Sequence, residues 1–174
     1  GETITVVATY TDNTGNIENV TSSPISPVAN VNDLPSGTLS IDGVLKEGEL
    51  LTATNNITDA DGIGALKYQW YANGVAISGA TDDTYLLTQN EVGKNITVVA
   101  TYMDGQGTKE IVESNPLSGT VLNVNNAPTG DVLINGTPTQ GEILNASNSL
   151  KDEDGMGAVT YQWYTDGQPI TGAT

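Results

Sequence analysis

Apolar and polar residues alternate with a period of two in several short segments, and turns rich in glycine, asparagine and aspartate separate these segments. The clearest case is residues 95–102, where every second residue is apolar: Ile96, Val98, Ala100 and Tyr102. Residues 66–72 alternate in the same way and place Trp70 on one face. A period of two is that of a β-strand with one buried face, and no segment keeps the 3.6-residue period of a helix. We therefore predict an all-β protein.

The pattern predicts seven strands in residues 30–122. They lie near residues 37–42, 49–55, 66–72, 75–78, 84–88, 95–102 and 109–121. Short strands separated by turns at such regular spacing are typical of a β-sandwich or barrel. A tryptophan in the third strand, Trp70, that faces the inner side of the sixth is the core arrangement of immunoglobulin-like sandwiches. In this chain Val98 and Ala53 would fill the space that a disulfide takes in such domains.

The sequence repeats itself after about 92 residues. Residues 1–10 recur at 93–102, residues 30–37 at 123–130, residues 59–65 at 152–158, and residues 68–71 at 161–164. Four matches in the same order indicate a tandem array. A unit of this length suits one sandwich domain and is too long for one turn of a solenoid. The predicted fold is therefore all-β, with tandem immunoglobulin-like β-sandwich repeats of about 92 residues.

Asn-Val-Asn segments followed by a proline are interpreted as joints, because the residue before a proline favours extended backbone. Cutting there gives an N-terminal part (residues 1–29), a complete repeat (30–122) and a C-terminal part (123–174). Together the two partial pieces lack only the counterpart of residues 82–92. They belong either to neighbouring repeats of one chain or to a domain swapped between molecules, and the sequence leaves both open. Because the strand pattern begins at the first residues, we expect a piece of a longer protein.

The chain is strongly acidic, with 21 acidic residues against 5 basic ones and a net charge of −16. Such a surface repels phosphate backbones and anionic lipid, so neither nucleic acid nor a membrane is an expected partner. The chain contains no cysteine and no histidine, which excludes disulfides, thiolate nucleophiles and a Ser-His-Asp triad. No apolar run approaches the roughly 18 residues of a membrane span. Since no nucleophile elbow or phosphate-binding glycine loop occurs either, we do not expect an enzyme.

Acidic residues are concentrated in loops that the predicted strand directions bring to one end of the complete repeat. These loops hold Asn32 and Asp33 before the first strand, Asp59 and Asp61 after the second, and Asp104 after the sixth. Four carboxylates gathered there repel one another unless a cation lies between them. Ca²⁺ accepts six to eight oxygen ligands from flexible carboxylates and carbonyls. The sequence therefore predicts a calcium site at the joint with the preceding repeat.

The second joint has the same pattern. Its candidate ligands are Asn125, Asn126, Asp152, Glu153 and Asp154. Because its linker has no carboxylate, we expect weaker binding there, while Asp12 is the counterpart of Asp104 in the preceding repeat. A local alternative stays open, since aspartate, asparagine and glycine are common in turns without any metal. The site is not an EF-hand, because Trp70 stands where a bidentate glutamate would be needed.

Five short motifs follow one another in a fixed order along the chain. The order is Asn-Val-Asn-Asp-x-Pro-x-Gly, Thr-Asp-Ala-Asp-Gly-x-Gly, Tyr-Gln-Trp-Tyr, Ile-Ser-Gly-Ala-Thr and Val-Gly-Lys-x-Ile-Thr-Val-x-Ala-Thr-Tyr. This succession resembles the tandem immunoglobulin-like repeats of giant bacterial surface adhesins of the repeats-in-toxin type, which have cadherin-like joints. The resemblance implies secretion to the bacterial cell surface and calcium at the joints, with Asp33 as linker acid and Asp59 and Asp61 as loop acids. The chain departs from the cadherin pattern because it lacks the Asp-Arg-Glu motif.

The expected function is that of a non-catalytic extender, stiffened by Ca²⁺, that projects a distal adhesion domain from the cell. Its partners would be neighbouring repeats of the same chain, with domain-swapped self-association of the partial repeats as a further option. The alternative is a module that binds polysaccharide or another ligand. In that case Tyr71 and Tyr164, on the face opposite to the tryptophans, would contact a sugar ring.

Overall fold

The computed structural model describes residues 2–174, and its regular elements are thirteen β-strands and one 3-10 turn. The strands are β1 (Val7–Thr11), β2 (Ile17–Thr21), β3 (Leu39–Asp42), β4 (Leu50–Asn55), β5 (Lys67–Ala72), β6 (Val75–Ala76), β7 (Thr84–Leu86), β8 (Ile96–Met103), β9 (Lys109–Glu113), β10 (Val132–Asn135), β11 (Asn145–Asn148), β12 (Tyr164–Thr165) and β13 (Gln168–Pro169). The predicted all-β class is confirmed. Within these residues no helix is long and apolar enough to cross a membrane.

Two antiparallel sheets enclose the core of the complete repeat. One has the strand order β3-β4-β7 and the other β6-β5-β8-β9. Side chains from both sheets form one apolar cluster, in which Trp70 and Val98 are fully buried. The predicted inner face of β8 is confirmed, because Ile96, Val98, Ala100 and Tyr102 are all buried. The arrangement is consistent with a β-sandwich, and the alternation of the sequence follows from its single buried side.

Three strands end earlier in the structure than predicted, and the first of them, 75–78, ends at Ala76. The predicted strand 84–88 ends at Leu86, because Thr88 and Glu91 form a capping box that begins the 3-10 turn Gln89–Glu91. The predicted strand 109–121 ends at Glu113, and Pro116, which has no N–H donor, follows soon after. From there to Leu122 the chain pairs through two isolated parallel bridges, Val92 with Val121 and Lys46 with Leu122.

Local contacts recur at the spacing of the sequence repeat. Val6 N donates to Ser22 Oγ at 3.0 Å, as Val98 N does to Ser114 Oγ. In the same way the amide of Trp163 donates to the carbonyl of residue 173 at 3.0 Å, as the amide of Trp70 does to that of residue 80. The same local sequence therefore folds in the same local way in all three parts of the chain, and the boundaries at residues 29 and 122 stay a prediction.

Outside the complete repeat the sheets have two strands each: β1-β2, β10-β11 and β12-β13. The counterpart of β5 is reduced to β12, which covers only Tyr164–Thr165. In the complete repeat β5 pairs with β8 over six residues. A strand needs a partner to satisfy its backbone groups, which explains why the segment before Tyr164 is not a strand.

Candidate functional site

The structure brings the linker and the two acidic loops of the first joint together around Asp61. Its Oδ1 accepts a hydrogen bond from Asn30 Nδ2 at 2.9 Å, and its Oδ2 accepts one from the backbone N of Asp33 at 2.7 Å. The backbone carbonyl of Asp61 accepts a further bond from Gly105 N, in the loop after β8, at 2.9 Å. Asp33 thus joins this cluster through its backbone, and Asp61 fixes the linker to the repeat that follows it.

Asp59 and its neighbours form a second group of acidic side chains, around the hydroxyl of Tyr102. Asp59 Oδ2 accepts a hydrogen bond from that hydroxyl at 2.6 Å, and Asp59 Oδ1 accepts one from Asp61 N at 2.8 Å. Burial raises the pKa of Tyr102, and the bond to Asp59 and the charges of Asp59, Glu110 and Asp104 raise it further. Three carboxylates therefore act on one buried phenol.

Asp104 carries an acceptor that the protein leaves without a donor. Its Oδ1 accepts bonds from Gln106 N at 2.9 Å and Thr108 N at 2.7 Å, which close the turn after β8. Its Oδ2 is buried and has no hydrogen-bond partner among residues 2–174, and the residue is only 7% exposed. A buried carboxylate oxygen without a donor is costly unless a cation balances it.

Asp12 closes a turn like the one that Asp104 closes, but its side chain is more exposed to solvent. Its Oδ1 accepts bonds from the backbone N of Thr14 and of Asn16, both at 2.8 Å. The bond from Asn16 N and the one from the Thr14 hydroxyl lower the pKa of Asp12 to about 2. Unlike Asp104, Asp12 is partly exposed, so the turn itself does not require a metal.

The sequence missed Glu110, which the structure places in the first joint. This residue is buried, and its Oε1 accepts a hydrogen bond from Asn32 Nδ2 at 2.9 Å. The side-chain amide of Asn32 thus acts as a donor to a carboxylate, where the sequence predicted a metal ligand. No sequence pattern signals this contact, because Asn32 and Glu110 are 78 positions apart; in the structure Glu110 lies opposite Tyr102 in the register of β8 and β9.

The second joint repeats the contacts of the first. Asp154 Oδ1 accepts from Asn123 Nδ2 at 2.7 Å, and its Oδ2 accepts from the backbone N of Asn126 at 2.6 Å. Asp152 Oδ1 accepts from Asp154 N at 2.9 Å, as Asp59 does from Asp61. An aspartate in the loop after the second strand therefore holds the linker that precedes it at both joints.

Glu47 holds the same linker from the other side. It lies in the loop between β3 and β4 of the complete repeat, and the sequence did not single it out. Its Oε1 accepts a hydrogen bond from Asn126 Nδ2 at 3.0 Å, and its Oε2 accepts one from Val124 N at 3.2 Å. Glu47 and Asp154 therefore fix one four-residue linker to the repeat before it and to the part after it.

The calcium site stays a prediction. As the loops lie, no group of three or more acidic side chains in residues 2–174 could by itself hold a metal ion. Several of the oxygens already accept N–H bonds, as those of Asp61 do. The donor set nevertheless fits Ca²⁺ in its chemistry, because it is built from oxygen alone and because Asp104 Oδ2 has its lone pairs free.

The face considered for sugar binding is an open groove on the outer side of the β5-β8-β9 sheet. Its lining includes Tyr71, Thr97, Val99, Lys109 and Ile111. Tyr71 is the one aromatic ring among the residues that line it. A single ring gives a weak stacking platform, so the groove adds little to the ligand-binding alternative.

No known protein-family model matches this chain, and no curated protein sequence matches it. The features that bear on its function are therefore its own sequence repeat and the contacts of its joints.

We expect Gly64→Ala to destabilise the complete repeat by about 1–3 kcal/mol, because a new side chain there overpacks a filled site. A Cβ at Gly64 would collide with the carbonyl oxygen of Met103, so the proposed contact is the close approach of the loop after β4 to β8. The matched control is Gly157→Ala at the equivalent position, where nothing lies within 4 Å. Urea denaturation at low protein concentration measures both, and an equal loss in the two variants would contradict the proposed contact.

Proposed function

We propose that this chain consists of extender repeats of a large secreted bacterial surface adhesin and that Ca²⁺ at the joints adds to their stiffness. The observation that carries the proposal is the double attachment of the second linker. Glu47 of the complete repeat and Asp154 of the C-terminal part both hold Asn126. The motif succession described above supports the adhesin setting, and its repeats would neighbour one another along the same chain.

Attachment from both sides gives the second joint a defined angle. A linker that binds only one neighbour leaves the other free to pivot, whereas these carboxylates accept charge-assisted hydrogen bonds on both sides. At the first joint Asp61 holds the linker to the complete repeat, which follows it. A row of repeats joined in this way is a spacer whose length does not collapse, which is what an extender requires. Its role is mechanical and needs no catalytic group.

Calcium would bind the group of acidic side chains around Tyr102, because the hydrogen bonds there do not neutralise their negative charge. Asp59, Asp104 and Glu110 lie around Tyr102, and Asp104 Oδ2 is buried without a donor. Calcium sites in extracellular modules bind with dissociation constants of about 10⁻⁴–10⁻³ M. At ten times that concentration each site contributes about 1.4 kcal/mol to the folded state.

Hydrogen exchange of the second linker tests the double attachment. Asp154→Ala removes the acceptor of the Asn126 amide, and we expect that amide to exchange about tenfold faster or more. Glu47→Ala should do the same for the Val124 amide. Glu153→Ala is the matched control, because its exposed side chain adjoins Asp154 and should leave both amides unchanged. Equal exchange in all three variants and the wild type would refute the attachment.

A further inference from the structure

Two of the five basic residues of the chain, Lys67 and Lys109, line one cavity on the outer side of the β6-β5-β8-β9 sheet. The cavity has a volume of about 490 Å³, and no carboxylate among residues 2–174 lines it. The local charge is therefore opposite to the net charge of the chain, which is −16. A cleft lined by charges of one sign concentrates ions of the other sign. The cavity is thus suited to an anionic group.

The register of the sheet places the two lysines on either side of β8. Lys67 of β5 lies opposite Thr101, and Lys109 of β9 lies opposite Met103. Thr101 and Met103 are two residues apart, so they lie on the same face of the sheet. The spacings of a sheet put the Cα atoms of the two lysines about 12 Å apart. Their long flexible side chains are exposed and can reach one ligand between them.

The fold does not require lysine at either position. At the spacing of the sequence repeat, Thr160 is the counterpart of Lys67 and Ile17 is the counterpart of Lys109. Ile17 pairs with Thr11 in the same register in which Lys109 pairs with Met103. The same hairpin therefore forms without a basic side chain, and the lysine pair distinguishes the complete repeat.

The cavity continues along the sheet into the groove that Tyr71 lines, and the two share Thr101 and Lys109. From Thr97 to Met103, β8 extends about 20 Å along this face. A groove of this length suits an extended polymer. Because β8 is paired on both sides, its backbone groups are not available to a further strand. A ligand here is therefore recognised by side chains, and the polar ones are ammonium groups, hydroxyls and a phenol.

We propose that this groove binds a carboxylated polysaccharide, with a carboxylate held between Lys67 and Lys109. Ammonium groups donate charge-assisted hydrogen bonds to carboxylates, the hydroxyls of Thr97 and Thr101 suit those of a sugar, and a sugar ring can pack on Tyr71. Tyr71 alone is a weak platform, and the lysine pair is what selects an acidic sugar. Exposed ion pairs contribute little, so we expect weak binding that salt reduces. The proposal is independent of calcium and of the extender role.

Titration of the whole chain with tetragalacturonic acid, followed by ¹H–¹⁵N correlation spectra, tests the proposal. EDTA is present throughout, so that Ca²⁺ does not bridge the carboxylates of the sugar and of the protein. The amides of Thr101, Met103 and Lys109 should shift in a saturable way, and added salt should weaken the binding. Lys67→Gln and Lys109→Gln should each weaken it about two- to fivefold, and the double variant should show no saturable shift.

Lys46→Gln is the matched control, because it removes the same charge from an exposed lysine in the loop between β3 and β4, outside the groove. It should bind as the wild type does. Maltotetraose has the rings without the charge, and tetraglutamate has the charge without the rings, so both should bind more weakly. The proposal would be overturned by the absence of a saturable shift with tetragalacturonic acid, by an equal loss in Lys46→Gln, or by equal binding of either comparison ligand.

Discussion

Trp70→Ala is expected to lower the free energy of unfolding of the complete repeat by about 3–5 kcal/mol. The Trp70 side chain is fully buried between the two sheets. Its Nε1 donates a hydrogen bond to the carbonyl oxygen of Asp82 at 2.9 Å, and its ring lies 6.0 Å from that of Tyr85. The substitution thus leaves a cavity and also removes the N–H donor to the Asp82 carbonyl oxygen. A domain has only about 5–15 kcal/mol of stability in total.

Trp163→Ala is the matched control for this substitution, because the same Tyr-Gln-Trp-Tyr motif surrounds both tryptophans. Trp163 is only partly buried, so its loss should leave the unfolding of the complete repeat nearly unchanged. Urea denaturation followed by far-ultraviolet circular dichroism measures both variants without relying on tryptophan emission. A comparable loss in the two variants would show that the core is not concentrated in the complete repeat.

Millimolar Ca²⁺ is expected to raise the melting temperature of the chain by several degrees relative to EDTA. A gain of about 1.4 kcal/mol per site corresponds to roughly 6–11 °C in a domain of this size. Asp104→Asn should remove most of that increase, because it neutralises the carboxylate whose Oδ2 is buried without a donor. In EDTA the same variant should melt at or above the wild-type temperature, since one repelling charge has gone from the group around Tyr102.

The control for Asp104→Asn is Asp12→Asn, which changes the equivalent residue of an open turn. Differential scanning calorimetry in EDTA, Mg²⁺ and Ca²⁺ measures the melting temperature of the wild type and of both variants. Asp12→Asn should keep the full response to Ca²⁺, and Mg²⁺ should give little, because it demands a stricter octahedral geometry. If the wild type melts at the same temperature in EDTA and in Ca²⁺, the proposed calcium site is contradicted. That result would not contradict the hydrogen bonds that hold the linkers.

The fold was largely predictable because a period of two marks a strand with one buried face. That rule located the inner face of β8 and the burial of Trp70, both of which the structure confirms. The prediction was wrong at the end of β7, where Thr88 and Glu91 begin a 3-10 turn. There a local capping box determines the backbone conformation, and the alternation of apolar residues does not predict a capping box.

The joints were predictable in part. Strand directions correctly brought Asp61 towards the linker and the loop after β8. They did not reveal that Asp61 and Asp154 would accept N–H bonds from the linker, because an acidic loop suits a metal ion and a hydrogen-bond donor equally well. Glu47 and Glu110 were missed since each meets a residue 77–79 positions away, a distance over which sequence patterns say nothing.

Backbone ¹⁵N relaxation of the second linker tests the central claim, that this linker is fixed to the parts of the chain on both sides of it. The amides of Val124 and Asn126 should show order parameters of about 0.85 at a concentration where the chain is monomeric, equal to those of Val98 in the core. Ordering should already be present in EDTA, because Glu47 and Asp154 supply it. Order parameters below about 0.6 in both EDTA and Ca²⁺ would show a flexible tether and contradict the account.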